Sequence, residues 1–299
     1  MARLNDPPAA QYALLVMCAE DMYDDLADHN KANQAPPIDA RVSAGWTVVG
    51  FITAVDALAD AQAIGLGTRF YYGFLACAKA DPTKYAAVIR GTANPSEWIE
   101  DIEFVPQPAP ARMAGKVENG FFSIYATMNY TPVGGAVLMP VVDGIAAAVG
   151  ANELTVLGHS LGSTLATYLA LDLVISGKLQ NPLSACLFAS PHAGDATFAG
   201  FVDAKVANYT VYNYSNDIVP RVPFNVPPLF DYSPLPRATT FVAADAQAVI
   251  QNNLGGNHHA ICYAAMLNYA AADWTAVPPV DKDCAACIQG PNPPNPAAP

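Results

Sequence analysis

Residues 154–170 read Leu154-Thr-Val-Leu-Gly-His-Ser-Leu-Gly-Ser-Thr-Leu-Ala-Thr-Tyr-Leu-Ala170. The apolar run Leu154–Leu157 predicts a short strand. Gly158-His159-Ser160-Leu161-Gly162 predicts a tight turn, and the apolar stretch Leu161–Ser176 predicts a helix. This is the strand–turn–helix context that a G-x-S-x-G elbow requires, with the Ser160 hydroxyl lifted above the end of a sheet. A Cβ at either glycine collides with the neighbouring strand or helix, so both must be glycine. His159 is read as the variable residue of the motif.

Working outward, Trp46–Val55, Phe70–Ala78 and Tyr85–Ile89 are rich in Val, Ile, Phe and Tyr and predict three strands. Further strands are expected at Leu183–Ala189 and Thr210–Tyr214. Helices are expected over Val133–Val149 and Cys262–Ala272. Residues 9–29 carry an apolar stripe of Leu14, Leu15, Met17, Cys18, Met22 and Leu26 at helical spacing. Residues 30–45 read as a polar loop. Strand–helix alternation over most of the chain predicts a mostly parallel central sheet with helices on both faces. Pro220–Pro236 reads as an ordered, partly apolar loop. Val277–Pro299 is rich in Pro and short of large apolar side chains, the composition of a mobile tail. The expected organisation is one domain over 1–276 and a C-terminal tail over 277–299.

Composition narrows the function classes. Of 299 residues, 13% are charged and 53% hydrophobic, which excludes a disordered chain because so much apolar surface offsets the entropy of ordering. Fourteen Lys and Arg face 26 Asp and Glu, a net charge of −12 that repels phosphate backbones and excludes nucleic acid as a partner. Neutral lipids and small uncharged substrates stay open. The apolar runs are broken before the roughly 20 residues a membrane span needs. No basic leader with a small-residue cleavage site is visible, so the expected location is the cytoplasm, or outside the cell by export without a cleaved leader. Of six cysteines, Cys18, Cys77, Cys186 and Cys262 sit in apolar runs. Cys284-Ala-Ala-Cys287 stands without the second pair that a zinc site needs, so no metal is expected.

A serine hydroxyl becomes nucleophilic when a base takes its proton and an acid orients the base. On such a sheet the partners follow in the order Ser, Asp or Glu, His. Asp217 lies just past the strand Thr210–Tyr214, where open α/β sheets build their sites. Asp172 falls mid-helix, and Asp195, Asp203, Asp231 and Asp245 lack so good a strand before them. Of the five histidines, chain order leaves His258 and His259, after Gly255-Gly256-Asn257.

Several segments together resemble the class 3 lipases, the family of the filamentous-fungal triacylglycerol lipases. They are Ile89-Arg90-Gly91-Thr92 closing a strand, Trp98 and Asp101 after it, Gly120-Phe121, the elbow Gly158–Gly162, Ala189-Ser-Pro-His-Ala-Gly194 with Phe198, and Asn216-Asp217-Ile218-Val219-Pro220. They fall in consistent order across roughly residues 70–270. His192-Ala193 departs from the family's Arg-Val, and Pro220–Pro236 is longer and richer in Pro than usual.

The resemblance implies an α/β-hydrolase fold, a short lid helix, and an oxyanion hole made by Thr92 and Leu161. The lid is expected around Asn94–Ile102, with Asn94 as N-cap, Pro95 first, and Trp98, Ile99 and Ile102 on one face. The base of related branches lies five residues before an aromatic that begins the closing helix, with Asn directly ahead. Asn257-His258 and Tyr263 fit that spacing and favour His258 over His259. The activity implied is a serine carboxylic-ester hydrolase, a lipase acting on acylglycerol esters through an acyl-enzyme at an oil–water interface. A carboxylesterase or feruloyl-type esterase on soluble esters, a phospholipase toxin and a noncatalytic lipid-binding protein are the alternatives. No cofactor and no obligate protein partner are implied.

Overall fold

The computed structural model describes residues 4–28, 34–55, 69–92, 105–226, 231–271 and 286–292. Nine strands build the main sheet: β1 Trp46–Val55, β2 Arg69–Ala78, β3 Lys84–Ile89, β4 Asn129–Pro132, β5 Met139–Pro140, β6 Glu153–His159, β7 Ser184–Phe188, β8 Asn208–Tyr214 and β9 Ala238–Phe241. Their spatial order is β9-β8-β7-β6-β3-β2-β1-β4-β5. The helices are α1 Pro7–Asp28, α2 Ala40–Gly45, α3 Asn119–Ala126, α4 Val141–Val149, α5 Leu161–Ser176, α6 Ala196–Lys205, α7 Leu254–His258 and α8 Ala260–Leu267.

The strand β6 sits mid-sheet, parallel to β3 on one side and β7 on the other. Its side chains alternate between two cores, as the pleat demands. Val156 joins a cluster with Ile145, Leu165, Tyr168 and Leu169, whereas Leu157 joins one with Val16, Met17, Phe188 and Tyr263. Helices therefore cover both faces: α3, α4, α5 and α6 on one, α1 and α8 on the other. A strand buried on both sides reads as a continuous apolar run, which is why Leu154–Leu157 was conspicuous.

The sheet is mixed rather than mostly parallel. Among the described residues β3, β6, β7, β8 and β9 pair in parallel, whereas β2–β3, β1–β2, β1–β4 and β4–β5 are antiparallel. Residues 79–83, between β2 and β3, are too few for the crossover that a parallel neighbour needs.

Three local expectations change. The helix expected from Val133 begins only at Val141, because Gly134 takes φ 72° in a turn and Pro140 sits at the N-cap. The helix expected over Cys262–Ala272 runs Ala260–Leu267, and Tyr269–Ala271 forms a 3₁₀ turn. The loop 30–45 contains α2, whose first turn is capped by Asp39 accepting from the Arg41 N–H.

Part of the C-terminal stretch is docked rather than free. Ile288–Pro291 pairs antiparallel with Ala248–Ile250, and Cys287 is buried with its carbonyl accepting from Gln251 N–H at 2.8 Å. Backbone pairing, rather than large side chains, holds this segment, so composition alone did not disclose it. The expected lid around Asn94–Ile102, and Cys284, lie outside the described residues.

Candidate active site

The elbow is strained and tightly packed. Ser160 has φ 56° and ψ −132°, a conformation that non-glycine residues rarely adopt. It persists because the surroundings leave no alternative. A Cβ on Gly158 would lie 2.3 Å from the Gly162 carbonyl oxygen, and one on Gly162 would lie 2.3 Å from that of Arg90. The Ser160 N–H donates to the Phe188 carbonyl at 3.0 Å, fastening the turn to β7. Leu161 opens α5, where the first N–H groups have no intrahelical acceptor and the helix dipole favours an anion.

Asp217 follows the end of β8 in a turn: its N–H donates to the Tyr214 carbonyl, and its Oδ1 accepts from the Val219 N–H at 3.0 Å. Pro220 then continues a 3₁₀ turn over Val219–Arg221. His258 is the last residue of α7, which Asn253 caps by accepting from the Gly256 N–H at 2.7 Å. His259 takes ψ 141° and becomes the N-cap residue of α8, so the chain changes direction between the two histidines.

These turns bring three side chains into line. His258 Nε2 lies 2.9 Å from Ser160 Oγ, and His258 Nδ1 lies 2.9 Å from Asp217 Oδ2. All three residues are buried. Burial works against a charge on Asp217, yet the His258 imidazole, the Val219 N–H and the Tyr263 hydroxyl hold its carboxyl below the usual range. A hydroxyl facing an imidazole that a buried carboxylate orients is the arrangement that makes a serine oxygen nucleophilic. Asp172 pairs instead with Arg112 and Tyr125, Asp195 caps α6, and Asp203 pairs with Arg237.

Gly91-Thr92 ends β3 beside the elbow: a Cβ on Gly91 would meet Ser160 Cβ at 3.2 Å. Arg90 secures this turn. Its guanidinium is buried, donates to the Tyr71 carbonyl at 2.7 Å and the Gly91 carbonyl at 2.6 Å, and lies over the rings of Tyr23 and Tyr72. Leu161 directly follows Ser160, and Thr92 follows the Gly91 that packs against it; these are the two positions expected to supply N–H donors.

Residues that sequence reasoning did not assign complete the surroundings. The Tyr263 hydroxyl donates to Asp217 Oδ2, and Glu20 reaches His159 from α1. A carboxylate set between Cys18 and Met22 of the apolar stripe of α1 was the only signal for Glu20. Among the described residues no group of three or more His, Cys, Asp and Glu side chains is arranged to hold a metal ion. None of the described helices is long and apolar enough to cross a membrane.

Comparison with known proteins points one way. The family model "Lipase (class 3)" matches residues 86–226. The chain is similar to phospholipase A1-II 7 of Oryza sativa subsp. indica, at 31% identity over 45% of this chain and 40% of that protein. It is also similar to the secreted mono- and diacylglycerol lipase A of Penicillium camembertii, at 31% identity over 48% of this chain and 45% of that protein. The chain thus spans under half the length of these relatives. Among solved structures, the triacylglyceride lipase of Rhizomucor miehei superposes with a TM-score of 0.54 at 21% identity, covering 78% of each chain, a likeness of fold.

Proposed function

We propose, from the match of residues 86–226 to the class 3 lipase model, that the chain is a member of that family and hydrolyses carboxylic esters of lipids through an acyl-enzyme on Ser160. The observation that carries this reading is the buried line from Asp217 through His258 to Ser160, with both steps at 2.9 Å. In this reading His258 Nε2 takes the Ser160 proton as Oγ attacks the ester carbonyl. Asp217 holds the ring with Nδ1 protonated and stabilises the imidazolium that forms. The negative charge that develops on the carbonyl oxygen meets the backbone N–H groups of Thr92 and Leu161, and losing such a donor typically costs about 3–4 kcal/mol of transition-state stabilisation. The imidazolium then protonates the leaving alcohol. Water, activated by the same ring, releases the acid.

A lipid substrate is favoured by the surface around the loops that carry the acid and the base. Phe224 is 55% exposed and Val226 48% exposed beyond Asp217, and Leu254, 47% exposed, opens the helix that ends in His258. Large apolar side chains in water at such a place suit a substrate surface that is itself apolar. The net charge of −12 suits neutral acylglycerols better than anionic lipids. We read residues 1–276 as the catalytic domain and 277–299 as its C-terminal extension.

The test is turnover of p-nitrophenyl esters from acetate to palmitate, together with an emulsified triacylglycerol. The reading expects hydrolysis, rising once substrate exceeds its solubility. Hydrolysis that saturates below that limit, with none of the emulsion, points to a soluble-ester esterase. No turnover at any chain length leaves a lipid-binding protein.

A further inference from the structure

Beside the aligned triad lies a second buried pair. Glu20 projects from α1, and its Oε1 is 2.9 Å from Nδ1 of His159, the residue just before Ser160. The other ring nitrogen, Nε2, is 2.5 Å from the backbone carbonyl oxygen of His258. The same Glu20 oxygen accepts from the Gly91 N–H at 3.2 Å. One carboxylate and one ring therefore touch the turn that carries Thr92, the residue before the nucleophile, and the backbone of the base.

The proton count follows from the partners. A carbonyl oxygen only accepts, so Nε2 of His159 carries a hydrogen. The 2.9 Å contact of Nδ1 with a carboxyl oxygen requires a second proton between them. The pair thus holds one proton more than a neutral imidazole beside a carboxylate. The groups facing it are the His258 ring, 4.6 Å away between centroids, the Tyr263 ring at 5.9 Å, and the charges of Asp217 and His259. Burial opposes ionisation of both members. The mutual charge and hydrogen bond, aided by the Gly91 N–H and the His258 carbonyl, outweigh it, so Glu20 lies below and His159 above its ordinary range.

We infer that Glu20 and His159 form a carboxylate–imidazolium positioning dyad that fastens the His258 backbone and the Gly91-Thr92 turn to the elbow, keeping base and oxyanion donors in register with Ser160. This inference rests on the ester-hydrolase reading. His159 touches no reacting atom in it; the dyad acts through the residues it holds. A charge-assisted bond to a backbone carbonyl is well suited to this, because it fixes the origin of the His258 side chain while leaving its ring free to exchange protons.

The test uses the full chain with Glu20→Gln, which keeps the shape and removes the charge. The expected result on p-nitrophenyl butyrate is a fall in kcat of at least about fivefold with KM within about twofold, since positioning of reacting groups acts on the chemical step. Labelling of Ser160 by a fluorophosphonate should slow in parallel. In ¹⁵N-imidazole NMR the parent His159 should carry protons on both nitrogens at about pH 6.5, where a free imidazole is half protonated, and lose the Nδ1 proton in Glu20→Gln. A smaller fall in kcat, a loss appearing in KM instead, or a singly protonated His159 in the parent would overturn the dyad. If Glu20→Gln does not fold, the parent spectrum decides alone. A parent that neither turns over esters nor labels at Ser160 refutes the hydrolase reading, and the same spectrum still judges the charge state of the pair.

Discussion

The Tyr263 hydroxyl lies 2.9 Å from Asp217 Oδ2, the same carboxylate oxygen that meets His258 Nδ1. Tyr263 stands on α8, five residues past His258, so the closing helix supplies the carboxylate of its neighbouring loop with a second donor. Burial and the adjacent Asp217 charge push the phenol well above its usual range, which keeps it protonated and donating. The Tyr263 oxygen also accepts from the Tyr214 N–H at 2.9 Å, so it binds the end of β8 as well.

Tyr263→Phe removes that donor and strands the Tyr214 N–H. A hydrogen bond to a charged group contributes about 1.5–3 kcal/mol, so a stability loss of that size is expected, with kcat falling by about three- to tenfold as Asp217 is less well fixed. Chemical denaturation and steady-state kinetics measure the two effects; an unchanged denaturation midpoint contradicts this role for Tyr263.

The two adjacent histidines should differ sharply. His258→Ala removes the ring that faces Ser160 Oγ and should cost several orders of magnitude in kcat. His259→Ala changes an N-cap residue without a side-chain cap bond and should stay within about tenfold of the parent. Measuring kcat for both variants side by side separates them; a dead His259→Ala with an active His258→Ala reverses the assignment.

Gly162→Ala should cost at least about 1–3 kcal/mol, since its Cβ would meet the Arg90 and Ile89 carbonyl oxygens at 2.3 and 2.5 Å, both backbone atoms that cannot swing aside. Gly200→Ala is the control, because nothing lies within 4 Å of a Cβ there. The comparison is of thermal unfolding midpoints, and equal midpoints would show that the elbow has slack.

The pH dependence of stability has two flanks of opposite origin. Asp217 and Glu20 are held below their ordinary values of 3.8 and 4.5. They stabilise the fold above those values and lose that contribution as pH falls through their folded pKa. His159 is held above 6.5, so its contribution is full below 6.5 and fades as pH rises through its folded pKa. The unfolding midpoint should therefore decline on both sides of a plateau. In Glu20→Gln the alkaline decline should shrink, because the imidazolium has lost its counter-charge. An alkaline flank identical in parent and variant contradicts the pairing.

How much of this was legible depended on sequence separation. The elbow was readable because strand, turn and helix are consecutive and both glycines are demanded locally. Asp217 was readable because it follows the strand that presents it. Residue chemistry alone left His258 and His259 equal; what separates them is the backbone reversal at His259, a feature of the folded chain. The antiparallel half of the sheet was missed because pairing direction depends on which strands meet, although the short connection 79–83 was a clue. Glu20 was out of reach: 139 residues separate it from His159, and only the packing of α1 on the sheet makes them neighbours.

Covalent labelling is the most direct measurement of the central claim. The full chain is treated with a fluorophosphonate, digested, and the adduct located by mass spectrometry, with Ser160→Ala treated in parallel. One adduct is expected, on Ser160, with no labelling and no ester hydrolysis in the variant, which keeps its far-ultraviolet circular dichroism. An adduct on another serine, or ester turnover that survives Ser160→Ala, would contradict the claim.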